Sequence, residues 1–372
     1  MAVGRGEYKE GYEYWLRSMY IRTELRGGET SLREIPEIFG KDVEVPNSIS
    51  DLILLAKNCD SMDALALAIT SHQLGPTHWD TIQRILLQST SLLHNDNLIQ
   101  AFDMTRYVYS LLTNKYKILH RMQEFALSQL FEICSKFQIQ TLRGVSIPRF
   151  KEILDVFKDM VDFLENAHLL KCSDTEYFIQ NSNIFDKVID HVFDMMYLLK
   201  VNNKSSEEKH FFRSQLKRLV EMELCDINGV SLLHKSLTRK PKIVFHFMET
   251  GPREARHEDL CVTRELIQAG ANVNVQDLKR DTPLHSHLKW IEKYNFFTKK
   301  IIELFLDYGA HVDLVDIDNT SLFAMINARG LTICPVKYHT LQCLAVKVIR
   351  NQRIHFRSLL PIPLQRFVDM HK

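Results

Sequence analysis

Apolar positions recur along the first part of the chain at intervals of three and four. Between residues 96 and 112, Leu98, Ala101, Phe102, Thr105, Val108, Tyr109 and Leu112 fall on one side of a helix with 3.6 residues per turn. Leu119, Met122, Ala126, Leu130 and Ile133 predict a second helix. Ile153, Val156, Phe157, Met160, Leu164 and Ala167 predict a third, and Phe185, Val188, Ile189, Val192, Met196 and Leu199 a fourth. Tyr12, Trp15, Leu16 and Met19 make a shorter stripe near the start, read as core. Alternation with period two never lasts long enough to build a sheet. Only 13 glycines and 10 prolines interrupt the chain, so helices are expected to be long and turns few. Residues 1–222 therefore read as successive helical hairpins stacked side by side, in an all-α, helical-repeat solenoid.

The pattern changes near Leu224, where self-similarity begins. The segments DINGVSLLHKSL from Asp226, LKRDTPLHSHL from Leu278 and DIDNTSLFAMI from Asp316 each open a helix through a turn and a Ser or Thr. Between them, TRELIQAGANVNVQD and IIELFLDYGAHVDLVD share an apolar helix followed by Gly and Ala. This order matches the ankyrin repeat: Thr282-Pro283-Leu284-His285 supplies a cap and a proline at the first helical position, and Gly270 and Gly309 stand where φ > 0 is needed. The separation from Ser231 to Thr282 is 51 residues and from Thr282 to Thr320 is 38, against about 33 for a standard unit. Extra residues must loop out, in 240–260 and 290–297. Two repeats and a partial third need the preceding helices to pack on.

Composition removes several function classes. Lys and Arg total 47 against 46 Asp and Glu, which leaves no basic footprint for nucleic acid or a membrane surface. The first ten residues lack the apolar core of a signal peptide, and no run of about 18 apolar residues occurs. The seven cysteines form no C-x-x-C pair, so reduced thiols in the cytoplasm or nucleus are expected. No nucleophile signature and no cofactor motif is present. His234 and His285 read as repeat histidines bonded to a neighbouring turn. His257 to Cys261 (HEDLC) carries metal-capable types without a second cluster to complete a tetrahedron, so no metal site and no catalysis are expected.

Residues 340–354, TLQCLAVKVIRNQRI, form an amphipathic helix whose partner the sequence leaves open: a repeat of this chain or another polypeptide. Leu341, Leu344, Ala345, Val348 and Ile349 share the apolar face, with Thr340 as N-cap. After a short basic linker, LPIPLQRFVDMH presents Leu364, Phe367 and Val368 on one helical face behind Leu360-Pro361.

The order of these segments, with YEYWLRSMYIR (Tyr12 to Arg22) and LGPTHWDT (Leu74 to Thr81), resembles the central and C-terminal part of the fem-one (feminization) family, whose members are substrate receptors of cullin-RING ubiquitin ligases. The resemblance implies tetratricopeptide-like hairpins over 1–222, ankyrin repeats over 223–334 and an elongin/cullin-box segment over 335–372. It implies that Leu341, Leu344, Ala345, Val348 and Ile349 dock on elongin C of elongin B/C, Leu341 as main anchor, with Ala345 where the box usually has Cys. Leu360, Pro361, Leu364 and Phe367 would face a cullin carrying its RING subunit; Pro363 departs from the family pattern. Partners would be that ligase and protein substrates bearing a degron, with no chemistry in this chain. The family's degron-binding N-terminal ankyrin repeats are expected to be missing from this sequence. The alternative is a helical-repeat interaction scaffold without a ligase role.

Overall fold

The structure is a computed structural model, and it describes residues 8–24, 36–39, 44–116, 119–142, 150–201, 205–238, 259–290, 296–330, 335–338 and 340–371. Among these residues the architecture is all-α; extended pairing is limited to isolated antiparallel bridges between Cys225 and Ser231 and between Val315 and Ser321. No helix is long and apolar enough to cross a membrane among the described residues. The backbone divides into two compact units, Met1–Pro148 and Arg149–Lys372.

The first unit contains α1 (Tyr8–Glu24), α2 (Ile49–Leu55), α3 (Cys59–Leu74), α4 (Trp79–His94), α5 (Leu98–Lys115) and α6 (Arg121–Leu142). Ser48 and Asp51 bond each other's backbone N–H groups at the start of α2, a reciprocal cap that satisfies two otherwise unpaired donors. Tyr12 and Trp15 pack with Leu55 and Ala56 on Met62 and Ala66, and Met19 is buried, so the first stripe is core as expected. Segment 74–81 is a turn between helices: Gly75 takes φ +91° after α3, and His78 Nδ1 accepts from Asp80 N–H at 3.2 Å to open α4. Helices of this unit are tied by buried and part-buried polar contacts. Ser89 Oγ donates to Ala101 O at 2.9 Å, while Gln129 donates to Thr90 Oγ1 at 2.8 Å and Lys136 Nζ to Leu93 O at 2.7 Å. One expectation is corrected: Leu119 is buried but lies ahead of α6 at φ +67°. The inner face of α6 is carried by Gln123, Ala126, Leu127, Leu130, Ile133, Cys134 and Phe137.

The second unit opens with α7 (Phe150–Ser173), α8 (Thr175–Gln180), α9 (Ser182–Val201) and α10 (Ser206–Glu221). Phe157 and Phe212 pack at 5.4 Å between ring centres, and Arg218 bridges Asp162 at 2.8 Å and Glu165. The repeat segment follows as α11 (Leu232–Thr238), α12 (Asp259–Gln268), α13 (Pro283–Trp290), α14 (Phe296–Asp307) and α15 (Leu322–Ala328). Each repeat is announced by the same local chemistry. Asp226 Oδ1 accepts from Asn228 and Val230 N–H, Asp277 Oδ1 from Lys279 and Asp281, and Asp316 Oδ1 from Asp318 and Thr320, at 2.8 to 3.0 Å. Successive turns then bond to one another, Leu278 N–H to Asn228 O and Ile317 N–H to Lys279 O, both at 3.0 Å.

The histidines complete the stacking. Ser231 and Thr282 hydroxyls each lie 2.8 Å from the Nδ1 of His234 and His285, and His234 Nε2 bonds Asp281 O of the next repeat at 2.9 Å. Gly270 and Gly309 stand at φ +100° and +85°, with Ala271 and Ala310 N–H reaching back to Leu266 O and Phe305 O. In the third turn the helix cap is Ser321, accepting from Ala324 N–H at 3.2 Å, rather than Thr320. The repeat spacing there is therefore 39 residues, from Thr282 to Ser321. The predicted inserts fall between α11 and α12 and between α13 and α14, largely outside the described residues. Lys235 of α11 reaches Asp190 of α9 at 2.8 Å, so the repeats pack on the preceding helices as their small number requires.

Candidate functional site

The chain leaves the last repeat through α16 (Pro335–Tyr338) and enters α17 (Leu341–Asn351) and α18 (Ile362–Met370). Thr340 Oγ1 accepts from Cys343 N–H at 3.1 Å, the expected N-cap. What the wheel alone left open is settled by burial. Cys343 and Val346, 1% and 3% exposed, are the residues by which α17 rests on its own chain. Leu341, Leu344, Ala345 and Val348 point the other way and are exposed, Leu341 at 85%; Ile349 sits half-buried at the edge. A strongly apolar helix face is thus turned outward.

The second box behaves differently. Pro361 opens α18 and Pro363 lies in its first turn, where the missing N–H costs nothing. Pro361 and Leu364 are exposed and Leu360 is half-buried. Phe367 turns inward, its ring 5.3 Å from His311 and 4.6 Å from His371. Leu359 and Ile362, which the sequence did not single out, are exposed beside Leu364. Both C-terminal helices thus carry exposed apolar residues.

The structure also gathers residues that the sequence did not connect. His311 and Asp313 lie in the loop after α14, Cys343 on the inner face of α17 and His371 at the end of α18, with ligand-type atoms all within 4.8 Å of one another. His311 Nδ1 is 3.0 Å from Cys343 Sγ, and His371 Nε2 is 3.5 Å from Asp313 Oδ2. Thr340 Oγ1 donates to the same sulfur at 3.2 Å. Burial alone pushes the thiol up, but hydrogen bonds from His311, His371 and Thr340 outweigh it and bring Cys343 down to about 6. Burial lowers the His371 imidazolium, yet Asp313 and Cys343 hold it up at about 10. Of the HEDLC segment, His257 and Glu258 lie outside the described residues, and Asp259 opens α12.

No family model matches the chain. It aligns over 97% of its length with Protein fem-1 homolog C of Bos taurus at 25% identity and of Mus musculus at 24%, and over 96% with Protein fem-1 homolog A of Bos taurus at 24%. The chain is similar to fem-1 proteins along nearly all of its length. It spans 57% of the length of those homolog C proteins and 54% of homolog A. The similarity extends over residues of both compact units.

Proposed function

We propose that this chain is a non-catalytic substrate adaptor of a cullin-RING ubiquitin ligase. α17 serves as the elongin-docking helix and α18 as the cullin-facing one. The reading is supported by one observation above all: Leu341, Leu344, Ala345 and Val348 form an apolar face that no part of the described chain covers. A helix of this kind laid into an apolar groove is read through anchors at i, i+3, i+4 and i+7, the spacing of these four residues. Ala345 at the centre lets the helix approach closely. Pro361 and Leu364, with Leu360 at the edge, extend the surface toward a second partner. Such an adaptor does its work by raising the effective concentration of a bound substrate near the ubiquitin-loaded enzyme. The resemblance to the family implies protein substrates bearing a degron.

Co-expression with elongin B, elongin C and a cullin tests this. Elongin B/C should co-purify with the wild-type chain and be lost from Leu341→Asp, while Pro361→Ala should weaken cullin recovery and keep elongin. Failure of the wild type to retain elongin, or equal recovery by Leu341→Asp, refutes the ligase reading. A scaffold without a ligase role would keep its partners in both variants.

A further inference from the structure

We propose that His311, Asp313, Cys343 and His371 form a structural zinc-type site that pins α17 and α18 to the last repeat. The proposal stands on the second unit alone and does not depend on the ligase reading. Its donors are two imidazoles, a thiol and a carboxylate drawn from three separate places in the chain. Such a set suits a borderline-soft, tetrahedral divalent ion, whereas calcium and magnesium call for oxygen throughout. Four protein ligands fill the tetrahedron and leave no open position for a reacting water, which makes the site structural.

The geometry is close to what such an ion requires. Bonds of about 2.0 to 2.3 Å place tetrahedral ligand atoms roughly 3.3 to 3.8 Å apart. The Cys343–His311 separation of 3.0 Å falls just short of that range and the Asp313–His371 separation of 3.5 Å falls within it, and the 4.8 Å limit on all the pairs leaves little to close. His371 is 5% exposed, and the nearest charged oxygen to its Nε2 is Asp313 Oδ2 at the long distance of 3.5 Å, while the buried Asp313 Oδ1 makes no hydrogen bond. A buried carboxylate oxygen without a hydrogen bond, beside an imidazole nitrogen held only at long range, is costly unless something ligates it.

The outer contacts are also those of a ligand set. His371 Nδ1 bonds Phe367 O at 2.9 Å, which orients the ring with Nε2 directed into the cluster. His311 is held through its backbone N–H by Asn274 Oδ1 at 2.8 Å, and Asn274 in turn donates to Gly309 O at 3.0 Å. Cys343 is fixed by the Thr340 cap, and Phe367 packs its ring over both histidines. A nucleophilic role for the thiol is disfavoured by its 1% exposure, which leaves no path for a substrate.

The test uses the full chain, purified from zinc-supplemented culture, with bound metal measured by elemental mass spectrometry and with Co2+ exchanged in as a spectroscopic probe. Zinc near one equivalent per chain, surviving desalting, is expected. Co2+ should give the thiolate charge-transfer band and the strong visible bands of a tetrahedral ion. Cys343→Ser and His371→Gln should each weaken zinc binding by on the order of 100-fold or more, beyond the roughly 10–100-fold cost of losing an outer partner, while Cys59→Ser should leave it unchanged. A chelator should lower the melting temperature of the wild type and not that of the variants. If Cys343→Ser fails to fold, Asp313→Asn and His371→Gln carry the comparison. A wild-type chain that takes up no zinc, or zinc affinity unchanged in the ligand variants, overturns the proposal and leaves the cluster as a hydrogen-bonded latch.

Discussion

Acidification should unfasten the repeats at His287, and the size of the effect follows from its surroundings. This side chain is buried on α13, with Nδ1 3.2 Å from Leu237 O of α11 and Nε2 without a hydrogen bond. Burial first, with the positive charge of Arg329 in addition, brings its pKa from 6.5 to about 4, against a favourable contribution from the Leu237 carbonyl. A folded-state pKa below the unfolded value means that the unfolded chain binds the proton more readily. The contribution is fully present above about pH 6.5 and is lost as pH falls toward 4. At about 1.4 kcal/mol per unit, the difference amounts to about 3 kcal/mol, most of it gone by about pH 4.5. His234 and His285 are lowered by burial in the same direction and steepen the wild-type curve. Replacing His287 by Leu removes its proton from the balance. Urea unfolding followed by far-ultraviolet circular dichroism, repeated from about pH 7.5 to 4.5, should show the variant losing about 2.5 kcal/mol less than the wild type over that interval. Wild-type and His287→Leu curves that stay parallel would refute the argument.

The two sides of α17 predict opposite outcomes for the same substitution. Leu341→Asp should change stability by no more than about 0.5 kcal/mol, because the side chain is 85% exposed. If Leu341 is a binding anchor, the same change should weaken elongin binding by about 2 kcal/mol, roughly 30-fold, in a titration. Val346→Asp, at a 3% exposed position, should instead cost several kcal/mol and loosen α17, measured by hydrogen exchange. Gly309→Ala should lower stability by about 1–2 kcal/mol in urea from backbone strain alone, since φ is +85° and nothing lies within 4 Å of the added methyl. Lys289→Met should destabilise the second unit by more than an exposed ion pair is worth, because it strands Asp281 and Asp316, now bonded at 2.6 and 2.9 Å and almost fully buried. Calorimetry of the variant against Lys299→Met, which removes only a surface i,i+4 pair, measures the difference.

Much of this molecule is legible along the chain because its rules are local. Helical stripes, the Thr340 and Thr282 caps, and the glycines at φ > 0 each depend on residues a few positions apart, and the recurring Asp-centred turns reveal the repeats despite irregular spacing. Local reading slipped where a short-range choice was degenerate: Leu119 fits the helical period but sits before the helix, and Thr320 and Ser321 compete for one cap. The direction in which the apolar face of α17 points was decided by tertiary packing. A helical wheel fixes angles between side chains but not which angle faces the core. That choice came from the small Cys343–Val346 edge fitting the last repeat and leaving the broad Leu341 face outside. Likewise, His311, Asp313, Cys343 and His371 have no motif spacing, and only the return of α17 and α18 onto the loop after α14 brings their donor atoms together.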